Sequence, residues 1–229
     1  MAKAGYFGPE LFDFLKELSR NNNREWFARN KTRWETDVRD PFLRFIADLG
    51  PHLKKISRNY VADPRPNGGS MMRIYRNLRF SRDKTPYNTM TAAHFGHAKG
   101  KGMAAPAYYI HLAPGEVFAG CGLWHPESAT LAKIRDNIVA SPARWKKAVS
   151  EAPFKQTWKL DGASLVRPPK GYDPEHPLIE DLKRTDFVGT ANFTEKDACA
   201  ASFVDRYAQA CHRAAPFMRF LTEAVDLPW

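Results

Sequence analysis

The spacing of apolar residues changes twice along this chain, and this change constrains the fold more than any other feature of the sequence. Near the start, Leu11, Leu15 and Leu18 recur at the period of an α-helix with one buried face. Between residues 89 and 121 the pattern becomes that of short strands, and helical spacing returns from residue 127. The order predicts an α+β fold with N-terminal helices, a small central antiparallel sheet and C-terminal helices.

Three helices are predicted before residue 60, of which the first carries the leucines just described. The second follows a run of three asparagines, where Asn22 and Glu25 have the spacing of a capping box. The third begins at Asp40 and Pro41, residue types that suit the N-cap and the first turn of a helix. We expect it to end at Gly50, because a proline follows and cannot donate the next backbone hydrogen bond.

The centre of the chain predicts three short strands rich in β-branched or aromatic residues, over residues 89–95, 107–112 and 116–121. Ala113-Pro114-Gly115 lies between the last two and predicts a hairpin turn. A fourth short strand is predicted over residues 164–167. Four prolines then make residues 168–177 an irregular segment that lies on the surface or lines a site.

The C-terminal part predicts further helices, over residues 127–140 and onward from Pro142. Thr194 and Asp197 have the spacing of a second capping box and predict the start of a long helix. Pro216 predicts a kink or a restart near the end of that helix.

The size and composition of the chain indicate a folded protein. It has 229 residues, of which 43% are hydrophobic and 13% aromatic, which is enough apolar surface to offset the ordering entropy of the backbone. We expect one domain over residues 1–229, with a self-sufficient core.

The sequence predicts a soluble cytoplasmic protein. No apolar run reaches the length of a membrane span, and the first residues lack the apolar stretch of a secretory signal. The three cysteines, Cys121, Cys199 and Cys211, form no CxxC pair, as expected of reduced thiols rather than a disulfide framework. We expect no membrane contact, and the sequence indicates no particular oligomeric state.

Positive charge is concentrated in one segment. The chain has 35 lysines and arginines against 25 acidic residues, a net charge of +10. Residues 71–90 hold five basic residues and one acidic residue, which gives a local net charge of +4. Arginine predominates there, and its planar guanidinium suits bidentate contact with phosphate or carboxylate.

Two conformations fit this basic segment. A helix starting at Ser70 places Ile74 and Leu78 on one face and the arginines on the other. A strand places Ile74, Leu78 and Phe80 on one face, but Arg76 then interrupts it. We favour the helix.

The same segment holds the candidate anion-binding residues, which are Arg73, Arg76, Arg79, Arg82, Lys84 and Tyr87. Three interpretations are open. The arginines form a solvated face or internal ion pairs, they bind a phosphorylated small molecule or nucleotide, or they bind the nucleic-acid backbone. The leading hypothesis is binding of a phosphorylated or nucleotide-like ligand, with or without catalysis.

Three motifs carry a family resemblance, at residues 21–27 (NNNREWF), 69–87 (GSMMRIYRNLRFSRDKTPY) and 120–124 (GCGLW). Together with residues 170–173 and Phe187, they make nearly the whole chain similar to the conserved hypothetical family DUF2461. The resemblance implies a single family domain. It implies no reaction and no catalytic residues, because the family name itself states that the function is unknown.

Asn77 and Asn88 depart from the family pattern, which has an acidic residue at the first position and a lysine at the second. A carboxylate can serve as a metal ligand or general base, whereas an amide hydrogen-bonds but neither takes up a proton nor holds a cation well. The departure at Asn77 therefore slightly favours binding over catalysis in this chain.

His111 is the candidate acid–base residue, because imidazole titrates near neutral pH and the predicted strand places it on one face with Tyr109. The candidate ligands for a zinc site are His94, His97, His111, Cys121 and His125, but their spacing lacks the tight ligand pairs of structural zinc sites. We predict no metal and no cofactor. The glycine-rich stretches lack the frames of dinucleotide-binding and phosphate-binding loops.

Overall fold

A five-stranded antiparallel sheet packs against the helices in the computed structural model, which describes residues 5–79, 81–100 and 105–229. The strands are β1 (Thr91–Gly96), β2 (Ala107–Ala113), β3 (Glu116–Leu123), β4 (Lys159–Asp161) and β5 (Phe187–Phe193). The helices are α1 (Pro9–Arg20), α2 (Arg24–Arg33), α3 (Asp40–Ile56), α4 (Ser128–Ala140), α5 (Pro142–Ser150), α6 (Ala152–Lys155), α7 (Ile179–Leu182), α8 (Glu195–Cys199), α9 (Phe203–Arg213) and α10 (Ala215–Ala224). The α+β prediction is confirmed.

The strands lie in the order β1-β2-β3-β5-β4. β2 and β3 form the predicted hairpin, with Ala113 paired to Glu116 across the turn. The sequence did not predict β4 or β5. The strand predicted over residues 164–167 is wrong, because that stretch contributes only an isolated bridge from Ser164 to Arg184. Its exposed apolar residues have no core surface to pack against.

One face of the sheet forms the core. Phe95 of β1 contacts the ring of Tyr207 on α9, and the hydroxyl of Tyr108 on β2 donates to the carbonyl oxygen of Cys211 at 3.3 Å. On β5, the ring of Phe187 meets that of Trp145 on α5 edge to face. The opposite face, which carries Tyr109 and His111, is only partly buried. The helices therefore position the sheet from one side.

The opening helices form as predicted, with two corrections. Asn23 rather than Asn22 caps α2, since its side chain accepts from the backbone N–H of Trp26, while Asn22 bonds elsewhere. α3 continues through Pro51 to Ile56 instead of ending at Gly50. The fully buried side chain of Leu53 holds this last turn against the core, so packing outweighs the hydrogen bond that proline cannot make. A π-helical stretch, Trp34–Arg39, joins α2 to α3.

The C-terminal helices are shorter than predicted. Thr194 and Asp197 form the expected capping box, but α8 ends at Cys199 because Ala200 is extended, and α9 then begins separately. The restart at Pro216 is confirmed, since this proline lies in the first turn of α10. No helix in the described part of the chain is long and apolar enough to cross a membrane.

The helix predicted from Ser70 is wrong. Residues 70–79 and 81–90, called the arginine hairpin below, form two arms, with bridges from Met71 to Ala93 and from Tyr75 to Tyr87. The backbone N–H of Arg76 donates to Pro86 at 2.9 Å, across the two arms. The alternation of the strand interpretation applies to Ile74, Arg76 and Leu78, which are less exposed than their neighbours, whereas Phe80 lies outside the described residues. Polar partners within the hairpin satisfy Arg76 on the inner side.

Candidate anion-binding site

The arginine hairpin is fastened to α2 through Tyr87. The side chain of Asn22 donates from Nδ2 to the carbonyl oxygen of Tyr87 at 2.9 Å, and its Oδ1 accepts from the backbone N–H of Tyr87 at 3.0 Å. The Tyr87 ring stacks on Phe27 at 4.1 Å between centroids and is 4% exposed. Burial raises the pKa of Tyr87. The structure thus places this predicted anion-binding residue in the packed base of the hairpin.

Arg76 braces the hairpin from inside. Its Nη1 donates to Oδ2 of Asp83 and to the hydroxyl of Thr85, and the side chain is 25% exposed. Asp83 also accepts from the backbone N–H of Thr85 at 2.9 Å. The hydrogen bond from the Thr85 backbone, followed by that from Arg76, lowers the pKa of Asp83 to about 2. Asp83 is therefore ionised at neutral pH, and Arg76 already has a countercharge.

The other cations of the hairpin face solvent. Arg73, Arg79, Arg82 and Lys84 are all exposed. Lys84 donates to the carbonyl oxygen of Leu78 at 3.2 Å, and none of the four forms an ion pair with an acidic residue in the described ranges. Four positive charges on this hairpin thus lack a countercharge within the described protein.

Asn77 and Asn88 hold the backbone beside these cations. Oδ1 of Asn77 accepts from the backbone N–H of Arg79 at 3.2 Å, and Nδ2 of Asn88 donates to the carbonyl oxygen of Arg73 at 3.1 Å. An asparagine bonded to the backbone two residues on is the geometry of an Asx turn. In this chain the two amides shape the loop.

No arginine-hairpin residue lines the groove of about 450 Å³ that the described chain forms between α3 and α9. That groove is lined in part by His52, Asp205 and His212, and His52 lies 3.8 Å from Asp205. The exposed hairpin cations therefore lie on the surface of the protein, outside this groove.

His111 lies on β2, on the partly buried face of the sheet. Its Nδ1 is 3.0 Å from the Tyr109 hydroxyl, its Nε2 is 3.8 Å from Glu116, and its ring stacks on Phe118 at 4.7 Å. Burial lowers the pKa of His111, which Glu116 partly opposes. β1 lies between His111 and the arginine hairpin, since Ala92 pairs with His111. The structure does not bring this candidate acid–base residue to the cations.

The remaining sequence candidates lie apart. His97 is buried, with Nε2 2.8 Å from the carbonyl oxygen of Pro228. Cys121 and Cys211 are buried, and burial raises the pKa of both thiols. Within the described ranges, no group of three or more His, Cys, Asp or Glu side chains is arranged to hold a metal ion.

Sequence reasoning missed a second polar cluster, where His125 follows β3 and meets Asp186 just before β5. Nδ1 of His125 is 3.0 Å from Oδ1 of Asp186, whose residue is 1% exposed. The available signal was a polar residue two positions after one strand and another directly before a later strand. This signal could not be recognised in the sequence because β5 itself was not predicted.

The chain was compared with known families and proteins. No match was found among curated proteins or among solved structures. The model of a conserved hypothetical protein family, DUF2461, matches residues 10–220, a span that includes the arginine hairpin and all five strands. This chain therefore belongs to the DUF2461 family.

Proposed function

We propose that the arginine hairpin binds the phosphate groups of an anionic ligand, with Arg73, Arg79, Arg82 and Lys84 as the contacting residues. The observation that carries this proposal is the set of four exposed cations with no ion-pair partner in the described chain. Arginine-rich surfaces of this kind bind phosphate through bidentate hydrogen bonds.

Two residues of the hairpin that are less exposed than these cations favour ligand binding because they hold the hairpin in shape. Arg76 is neutralised by Asp83, and Tyr87 is packed on Phe27, so these two residues hold the hairpin in shape. A prefolded hairpin loses less conformational entropy when a ligand binds than a free loop would. Arg76 and Tyr87 thus act by positioning the exposed cations.

A phosphorylated small molecule or a nucleotide is the first ligand class to test. The protein is titrated with ATP, a sugar phosphate and inorganic phosphate, and its melting temperature is followed. A ligand that binds only the folded state raises this temperature in proportion to RT ln(1 + [L]/Kd). The double variant R79Q/R82Q should lose the shift.

The matched control is K146Q/K170Q, which removes the same charge from exposed lysines outside the hairpin. It should keep the ligand-induced shift. Equal losses in both double variants would mean that the shift reflects net charge alone, and the hairpin proposal would then be wrong.

The surface position of the hairpin cations favours nucleic-acid backbone as a second ligand class, because a polyanion needs no cleft. If all four cations contact single-stranded phosphates, log affinity should fall with log salt at a slope of about −3. Fluorescence anisotropy of a mixed-sequence oligonucleotide between 50 and 200 mM salt, roughly the range in which such binding changes most, measures that slope. Binding that does not respond to salt excludes this class.

We also propose a cytoplasmic location. All three cysteines are free, and two of them are buried, as expected of a protein that folds in a reducing compartment. Imaging of a fluorescent fusion tests the proposal, and a signal outside the cytoplasm would contradict it.

A further inference from the structure

The His125–Asp186 pair lies at the end of the sheet remote from the arginine hairpin. The hairpin leads into Thr91, which pairs with Leu112, and Leu112 pairs with Val117, so these residues lie at one end of the sheet. His125 follows β3, whose Gly122 lies at the opposite end. The pair therefore forms a site of its own, independent of the proposed anion binding.

Asp186 is a buried carboxylate with three donors. Oδ1 accepts from the backbone N–H of His125 at 2.6 Å and faces its Nδ1 at 3.0 Å, while Oδ2 accepts from the backbone N–H of Ala163 at 2.9 Å. Burial on its own would raise the pKa of Asp186, but the donors on His125 and Ala163 lower it below its usual value. The carboxylate is therefore ionised at neutral pH.

This carboxylate fixes the imidazole. An ionised oxygen accepts only, so in the neutral ring Nδ1 of His125 carries the proton and donates to Asp186, and Nε2 keeps a lone pair. The His125 side chain is 62% exposed, and Nε2 has no partner among the described residues. The same arrangement of buried carboxylate, imidazole and outward nitrogen serves general-base catalysis in unrelated folds.

The backbone is held in an uncommon conformation at this point. His125 has φ +50°, in the left-handed region, which a non-glycine residue adopts at some cost. Gly162 approaches so closely that a Cβ there would lie 2.4 Å from the Cβ of Asp186. The left-handed backbone of His125 and the close approach of Gly162 to Asp186 thus accompany the contact between His125 and Asp186.

An aromatic surface adjoins the free nitrogen. Trp124 is 60% exposed and stacks on the His125 ring at 4.5 Å, with 26° between the planes. If the cluster only held β3 near β5, the hydrogen bonds from the backbone N–H groups of His125 and Ala163 to Asp186 would be enough. Such a structural role requires neither an oriented, exposed imidazole nor an exposed indole beside it.

We propose that His125 and Asp186 form a proton-transfer dyad that activates water against an ester whose planar aromatic part packs on Trp124. Nε2 of His125 takes a proton from water while the water oxygen bonds to the ester carbonyl carbon. The bond from that carbon to the aryl oxygen then breaks, and the imidazolium returns the proton to the leaving oxygen. His125 is the catalytic residue and Asp186 the positioning residue.

The test uses p-nitrophenyl acetate as the probe and follows release of p-nitrophenolate. The variant H125N keeps a residue that tolerates positive φ, so the fold is preserved. We expect its rate to fall at least about tenfold, because general-base catalysis contributes that much or more. H212N is the control, since His212 is exposed on α9 and has no carboxylate partner in the described chain.

Two further variants separate the roles. D186N should lower kcat and change the pH–rate profile, whereas W124L should raise KM with kcat nearly unchanged. The nitrogen chemical shifts of the wild-type His125 ring should report protonation at Nδ1. Equal rates for wild type and H125N, a loss in H212N as large as in H125N, or protonation at Nε2 alone would each overturn the proposal.

Discussion

At Gly122 a side chain of any size would collide with the neighbouring strand. This residue has φ +112°, and a Cβ built on it would lie 2.0 Å from the carbonyl oxygen of Phe187. Gly115, in the β2–β3 turn, has φ +77° but nothing within 4 Å of its Cβ position. A substitution at Gly115 therefore measures the cost of the backbone conformation alone, whereas a substitution at Gly122 adds the cost of the close approach.

We predict that G115A lowers the free energy of unfolding by about 1–2 kcal/mol, the cost of a left-handed alanine. G122A should lower it by more than about 3 kcal/mol, because strand separation is added to the strain. Urea denaturation monitored by circular dichroism measures both. Similar losses in the two variants would contradict the close approach at Gly122.

The ionisation of Asp186 makes the free energy of unfolding depend on pH, and the lowered pKa of its carboxyl group sets the direction. Its folded pKa lies below the usual value of 3.8, so its contribution is fully present above that value. It is lost as pH falls from about 3.8 through the lowered folded pKa. We predict that D186N is less stable than wild type at pH 7 and that the difference shrinks as the pH falls below 3.8. Denaturation midpoints measured at pH 7 and over a series of pH values below 3.8 test this, and a constant difference would contradict it.

Single residues also explain why part of the site was unpredictable. Arg76 disrupts an apolar strand face in the sequence, which favoured the helix interpretation. Its partners Asp83 and Thr85 meet it only after the hairpin has turned, so no local spacing identifies them. The cations themselves were predictable from composition, but their exposure was not.

At the scale of elements, strong periodicity was predictable and weak strands were not. α1 and the β2–β3 hairpin have regular apolar spacing and a turn signal, and both were predicted. β5 carries small residues, Gly189 and Ala191, on its core face, so its sequence lacks the bulky alternation of a typical strand. Contacts with its neighbours create that strand.

Asn22 and Asn23, which directly precede α2, offer a test of how the arginine hairpin docks on this helix. N23A removes the N-cap and should destabilise the protein by about 1 kcal/mol, whereas N23G should cost only a few tenths. N22A leaves the cap intact but removes both bonds to Tyr87, so it should loosen the arginine hairpin. Hydrogen exchange at Arg76 and Asn88 should rise in N22A and stay unchanged in N23G. The reverse pattern would contradict these assignments.

At the scale of the whole molecule, the succession of N-terminal helices, central sheet and C-terminal helices could be read from the sequence, but the sheet order could not. β3 pairs with β5, and about 65 residues separate paired positions such as Gly122 and Val188, a distance over which spacing carries no information. The proposed single domain is supported by a core of buried residues that extends from Tyr6 to Ala224.

We therefore predict that the chain unfolds in one cooperative transition. Differential scanning calorimetry should give equal calorimetric and van't Hoff enthalpies, as for a two-state domain. Fluorescence and circular dichroism should report the same midpoint. Two resolved transitions would contradict a single domain.

The outer edge of β1 is closed by the arginine hairpin itself. Met72 donates its backbone N–H to Ala92 at 2.8 Å, and His94 donates to Ser70 at 2.9 Å. An uncovered strand edge is a template on which other chains add by intermolecular pairing. Undocking of the hairpin would therefore expose the edge of β1 to such pairing and remove the positive charges that repel a second copy from that edge.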